Sequence, residues 1–155
     1  MSNQSGPAEL VQRVAQASAD FGAANTEVDD AVADLLGVNG TDRRIVGLVF
    51  TAGPLSAGAL AAAAGLSPAA TTTAVQRLVA AGHLVREIDP GDRRRTVLTL
   101  TDSATEVVRR SYGPVAEEGM RILGGYRPDE LALIDRFLRA GIDLQRRHAA
   151  RIRSS

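Results

Sequence analysis

The sequence predicts a mainly α-helical fold with one small β-hairpin, and three observations predict it. Long segments near both chain ends repeat apolar residues three and four apart, the period of one helix face. In the middle, Gly65-Leu66-Ser67-Pro68 separates two short helical stretches, with serine placed to cap and proline to occupy a first helical position. After Gly82, an alternating stretch, a turn and a second alternating stretch follow within twenty residues; the turn and return read DPGDRRRTVLTLT, Asp89 to Thr101.

The elements follow in order. Between residues 7 and 37, Val11, Val14, Ser18, Phe21, Asn25, Val28, Val32 and Leu35 form a helix-pairing stripe, broken in its middle by Ser18 and Asn25 and ended by Gly37 and Gly40. Thr41 is expected to cap a short second helix, with Asp42 as its first-turn acid and its end near Phe50. A third helix runs from about Ser56 to Ala64 and stops at Gly65. The fourth starts at Ser67-Pro68. At about 100° per residue, Thr71, Ala74, Val75 and Leu78 share its inner face, while Ala69, Thr72, Thr73, Gln76 and Arg77 share the outer one. Two short helices joined by a tight glycine turn are a helix-turn-helix signature.

Gly82 ends the fourth helix. Leu84–Ile88 and Thr96–Leu100 read as strands, the second placing Leu98 and Leu100 on one face, and Asp89-Pro90-Gly91-Asp92 suits a type II turn between them. A helix-turn-helix followed by a β-hairpin is a winged helix, here spanning 41–101 and flanked by helical regions 7–37 and 102–152. Thr101 and Asp102 cap a fifth, long helix, expected to be perturbed at Gly113-Pro114 and stopped by Gly124-Gly125. The last helix starts near Pro128 and carries Leu131, Ile134, Leu138, Gly141 and Gln145 at the same three-four spacing. Residues 1–6 and 153–155 are expected to be flexible termini, and no internal repeat is visible.

Composition narrows the function classes. At 155 residues and 45% hydrophobic, the chain suits one domain with a sizeable core, or one small domain plus a helical appendage, and excludes a large multidomain enzyme. Cysteine is absent, which removes disulfides, thiol redox sensing and thiolate metal sites; the two histidines, His83 and His148, lie too far apart in sequence to suggest a metal site. The longest apolar run, Leu55 to Leu66, is mostly alanine and too short for a bilayer, and no basic segment followed by an apolar one opens the chain. The expectation is a cytoplasmic protein with no membrane partner, no cofactor and no metal.

The eighteen acids and eighteen bases, all arginine, cancel in total but not along the chain. Residues 1–40 hold six acids against one base, while residues 41–110 hold nine bases against six acids. The densest cationic cluster is Arg93-Arg94-Arg95, at the tip of the predicted hairpin. Asp29-Asp30 and Glu117-Glu118 are neighbours in sequence, so on a helix they diverge by about 100° and form no paired-carboxylate site. No glycine-flanked nucleophile, phosphate-binding glycine loop or metal spacing appears, so catalysis has no foothold.

Several of these residues carry a family resemblance. Asp89-Pro90, Asp92-Arg93-Arg94 and the closing Leu100-Thr101 resemble the wing of the MarR (multiple antibiotic resistance regulator) family of bacterial transcription factors. Gly65-Leu66-Ser67, Val75, Arg77, Leu78 and Gly82 resemble its recognition helix and exit turn. Thr71, His83 and Ala104 depart from the pattern, standing where the family usually has an aliphatic residue, leucine and glycine. The resemblance implies a symmetric homodimer whose terminal helices interlock, with Val11, Val14, Phe21, Leu131, Ile134 and Leu138 as dimerisation residues. It also implies a double-stranded, pseudo-palindromic operator read in successive major grooves, and a repressor released by a small organic effector; without cysteine the family's thiol-oxidation branch is closed.

In that frame the outer face of the fourth helix, Pro68, Ala69, Thr72, Thr73, Gln76 and Arg77, is the DNA-reading surface. Threonine suits thymine methyls and hydroxyl contacts, Gln76 suits adenine, and Arg77 suits phosphate or guanine. On the wing, three arginines alternating along an extended strand cannot all enter one groove. The family pattern makes Arg94 the inserted tip, Asp92 the residue holding its guanidinium, and Arg93 and Arg95 phosphate contacts. The alternative is a winged-helix protein-interaction module without specific DNA binding, for which weak, salt-insensitive DNA affinity is expected. An enzyme would need a titratable cluster that the sequence does not offer.

Overall fold

The structure, a computed structural model, describes residues 6–154. Its elements are α1 (Pro7–Leu36), α2 (Gly40–Ala52), α3 (Ala57–Ala64), α4 (Pro68–Ala80), β1 (Leu84–Ile88), β2 (Thr96–Leu100), α5 (Asp102–Leu123) and α6 (Pro128–Ser154). This is the mainly helical winged helix-turn-helix that the sequence predicts. The chain divides into two compact units, one up to Ser111 and one from Tyr112 on. The flexible termini expected at 1–6 and 153–155 fall mostly outside the described residues: Gly6 is the extended N-cap of α1, and Arg153 and Ser154 continue α6.

The core of the first unit lies among α2, α3, α4 and the hairpin. Ile45, Leu60, Leu78, Leu84 and Leu98 are its largest fully buried side chains. The phase of α4 follows the sequence: Thr71, Ala74, Val75 and Leu78 are buried, while Ala69, Thr72, Thr73, Gln76 and Arg77 are exposed. Burial of Thr71 is tolerated because its hydroxyl donates to Ser67 O, 2.9 Å away, leaving no unpaired polar hydrogen in the core. Ser56 and Ser67 cap α3 and α4 by accepting from Ala59 N and Ala70 N, each at 3.2 Å. Between these helices Gly65 turns the chain at φ 63°, a left-handed conformation that glycine alone adopts without steric cost.

Four local expectations change. The N-cap of α2 is Asn39, not Thr41: Asn39 Oδ1 accepts from Asp42 N at 2.9 Å, the amide three residues on, so the helix starts two residues early. On α1, burial falls on Val32, Ala33 and Leu36, while Leu35 stays 67% exposed. The stripe therefore turns slightly at its end, where α1 packs on α2. In β2 both Val97 and Leu98 are buried, although neighbouring residues of a strand face opposite ways, and Leu55 adds a short bridge to Leu98 (Leu98 N to Leu55 O 2.8 Å, Leu55 N to Leu98 O 3.1 Å). Helix α5 is continuous through Pro114, whose fixed φ suits a helix and whose missing N–H removes only one rung.

Two side chains close the first unit. Thr101 Oγ1 accepts from Ala104 N at 3.2 Å to cap α5 and lies 2.8 Å from Gly82 O, to which it donates. Thr101→Val, which keeps the shape but loses both bonds, is expected to lower stability by about 1–2 kcal/mol; urea unfolding should show an earlier midpoint at unchanged slope. His83, in the turn after α4, is half-buried, with Nε2 2.8 Å from Leu36 O at the end of α1.

The second unit comprises the remainder of α5 and α6. Gly124 and Gly125 end α5 as expected, through Gly124 N to Met120 O and Gly125 N to Ile122 O. No residue of α6 is buried: Leu131 and Ile134 are half-buried, and Leu133, Phe137, Leu138 and Ile142 are exposed. In the first unit Val11, Val14 and Phe21 on α1 are likewise at least half exposed.

Candidate nucleic-acid interface

The outer face of α4 places Pro68, Ala69, Thr72, Thr73, Gln76 and Arg77 together in solvent. Each of the two outward threonines spends its hydroxyl hydrogen on the helix, Thr72 on Pro68 O at 2.9 Å and Thr73 on Ala69 O at 3.1 Å. That bond selects one rotamer and leaves the hydroxyl oxygen as an acceptor beside an outward methyl. The pair can therefore receive an exocyclic amino hydrogen or touch a thymine methyl, and neither has a spare hydrogen to donate.

Arg77 is held more tightly than its sequence position suggests. Its Nε donates to Asp42 Oδ2 at 2.9 Å and its Nη2 to Asp42 Oδ1 at 2.7 Å, a two-point fork across 35 residues of sequence. Asp42 is 3% exposed, and Asn39 Nδ2 adds a third bond to its Oδ2 at 3.2 Å. The carboxylate's bonds raise the Arg77 pKa above its ordinary value, so the guanidinium stays charged. Asn39, Gly40, Thr41, Leu66, Ala70, Thr73, Ala74 and Arg77 line an open cleft of about 790 Å³ between the start of α2 and α4.

The wing loop, Asp89 to Arg95, is built differently from its expected form. Gly91 does not have a positive φ, so the Asp89–Asp92 turn is not type II. Instead two aspartates each start a turn. Asp89 Oδ1 accepts from Gly91 N at 2.8 Å with Asp92 N bonded to Asp89 O at 3.2 Å; Asp92 Oδ1 accepts from Arg94 N at 3.0 Å with Arg95 N bonded to Asp92 O at 2.9 Å. A short aspartate side chain reaches the amide two residues on more readily than a guanidinium swinging in water. Asp92 thus holds the backbone of Arg94, which corrects the side-chain clasp implied by the resemblance.

The arginines do not alternate along a strand either, because β2 starts only at Thr96. Arg93 and Arg94 occupy the central positions of the second turn, and Arg95 closes it; all three side chains are exposed. Among the described residues no ion pair engages any of them, so their charge is available to a partner. The remaining cleft of note, about 190 Å³, lies between α2, the Gly53-Pro54 turn, β2 and the start of α5, lined by Val49, Phe50, Thr99, Leu100 and Thr105. Among the described residues no histidine and carboxylate group is arranged to hold a metal, and no helix is long and apolar enough to cross a membrane.

Sequence reasoning placed Asp42 in the first turn of α2, where it stands, but missed its pairing with Arg77, and it missed the roles of Asn39 and Leu55. Asn39 and Asp42 carry a signal in their three-residue spacing, which fits a cap and the amide it satisfies. The pairing of Asp42 with Arg77 leaves no local trace.

An aliphatic inner face and a polar outer face on α4, followed by a hairpin with an unpaired arginine tip, define a protein of the winged helix-turn-helix class. The profile of the MarR family matches residues 36–95. The HTH-type transcriptional regulator YcgE of Bacillus subtilis (strain 168) is 31% identical over 153 residues, covering 99% of each chain. The chain belongs to the MarR family. Its fold is similar to that of RV1404 from Mycobacterium tuberculosis (24% identity, TM-score 0.64, covering 92% of this chain and 97% of that one). It is also similar to MepR of S. aureus, both as a point mutant bound to an oligodeoxyribonucleotide (16%, TM-score 0.53, 83% and 96% covered) and in a complex with ethidium bromide (14%, TM-score 0.62, 93% and 99% covered). The protein is thus a transcriptional regulator with a DNA-binding winged helix-turn-helix, and not an enzyme.

Proposed function

We propose that the protein binds a pseudo-palindromic double-stranded operator as a homodimer in the cytoplasm and represses transcription until a small organic effector releases it. The observation that carries the DNA reading is the unpaired triplet Arg93-Arg94-Arg95 on the same unit as the outward face of α4. Pro68, Ala69, Thr72, Thr73 and Gln76 meet base edges in the major groove. Arg94 enters the minor groove, where a weakly hydrated guanidinium is favoured, and Arg93 and Arg95 sit on phosphates. The oligodeoxyribonucleotide bound to the MepR mutant supports the same use of this fold.

Dimerisation rests on the exposed apolar residues. Val11, Val14 and Phe21 on α1 and Leu138 on α6 are each about half exposed or more, and Leu131 and Ile134 are only half covered. A second copy buries both sets and supplies the twin reader that a palindrome needs. The ethidium complex of MepR supports an organic effector, and effector candidates are to be scored by loss of a gel shift.

Selection of bound duplexes from random DNA tests binding, symmetry and half-site spacing together. The expected product is an inverted repeat with half-sites about one helical turn apart. Affinity for it should fall as salt rises, with log K against log salt sloping at about −5 or steeper for a dimer touching six or more phosphates. Weak binding indifferent to salt would instead favour a protein-interaction module.

A further inference from the structure

We infer that Asp42 is a positioning residue for DNA binding: it fixes the Arg77 guanidinium so that its free edge meets a backbone phosphate and not a base. The inference rests on the proposed DNA reading of α4 and adds a residue on α2 that does not itself face the groove.

A guanidinium carries five N–H donors in one plane. Asp42 occupies the side-on edge, taking one hydrogen from Nε and one from Nη2. Three hydrogens remain: one on Nη1 and one on Nη2 form the free end-on edge, and the second on Nη1 points back along the Cδ side. The Arg77 side chain is 49% exposed while that of Asp42 is 4% exposed, so the free edge lies on the solvent side of the pair. The cleft it borders opens beside Thr73 on the face that meets the duplex, and is roomy enough for a phosphodiester group.

Position along the helix separates phosphate from base. Base edges are met by the first turns of a recognition helix. Arg77 lies in the last turn of α4 and is drawn back towards α2 by the fork. Asp42 in turn is fixed by the Asn39 side chain at 3.2 Å and by its own amide bonded to Asn39 Oδ1 at 2.9 Å. The buried carboxylate therefore sets the angle of a side chain that otherwise has four free torsions. Its charge is also paired, so the contact supplies register rather than net attraction.

A double-mutant cycle read in operator affinity tests this. Asp42→Asn removes the charge and one arm of the fork but keeps the shape; it also makes the chain more positive, which on electrostatics alone would tighten DNA binding. The expected result is a loss of about tenfold with wild-type Arg77, and no further loss in an Arg77→Met background. Equal losses in both backgrounds would assign Asp42 to helix packing alone and overturn the inference, as would unchanged or tighter binding of Asp42→Asn. If Asp42→Asn does not fold, Arg77→Lys asks the same question, since one ammonium can pair with Asp42 but cannot also present a flat edge: a loss of about tenfold supports positioning, and full affinity overturns it. Failure of the unmutated protein to bind any selected duplex defeats the DNA reading itself, and is seen before the cycle begins.

Discussion

Replacing Arg94 with alanine should lower operator affinity on the order of 100-fold while leaving the unfolding midpoint unchanged. Removing one minor-groove or base interaction costs about 1–3 kcal/mol, a dimer makes it twice, and about 1.4 kcal/mol corresponds to tenfold. Stability is spared because Arg94 is exposed, makes no ion pair among the described residues, and contributes to its turn only through a backbone amide that alanine also has. Arg94→Lys separates shape from charge: it keeps the phosphate attraction but is more strongly hydrated, so most of the loss should persist. Titration of the selected duplex by fluorescence anisotropy measures both variants. Full affinity for Arg94→Ala would remove the wing from the interface.

Phe21→Asp is the second large effect. Phe21 is 65% exposed on α1, so the substitution leaves the protomer's own core untouched. In a symmetric dimer the change enters twice, and two carboxylates forced into an apolar contact are expected to weaken association by at least about 4 kcal/mol, roughly a thousandfold. Operator binding should fall with it, because a monomer engages one half-site and loses the gain of a tethered second reader. Light scattering after gel filtration, with circular dichroism to confirm folding, is the measurement. A folded Phe21→Asp variant that remains a dimer at micromolar concentration would place the dimer contact elsewhere.

The fold was legible in the sequence where local rules act. Ser67-Pro68, Gly65 and the phase of α4 each follow from short-range sterics, capping and burial, and the structure carries all of them. The wing was legible as a hairpin but not in its detail: Pro90-Gly91 suggested a type II turn, whereas Asp89 and Asp92 each capture an amide two residues on and bend the chain without a left-handed glycine. Long-range partners were the least legible. Nothing near Asp42 announces Arg77, nothing near Leu36 announces His83, and nothing near Leu55 announces Leu98. These pairs are set by how elements pack, and one sequence carries no record of which distant residues meet.

The Leu55 to Leu98 bridge has a consequence for which operators the protein can use. Two backbone hydrogen bonds tie the segment between α2 and α3 to the inner strand of the wing. The hairpin is thereby stitched to the same frame that carries α4. If the proposed reading holds, with α4 in the major groove and the wing in the minor groove, a half-site with an altered distance between the two determinants is expected to bind more weakly as a whole.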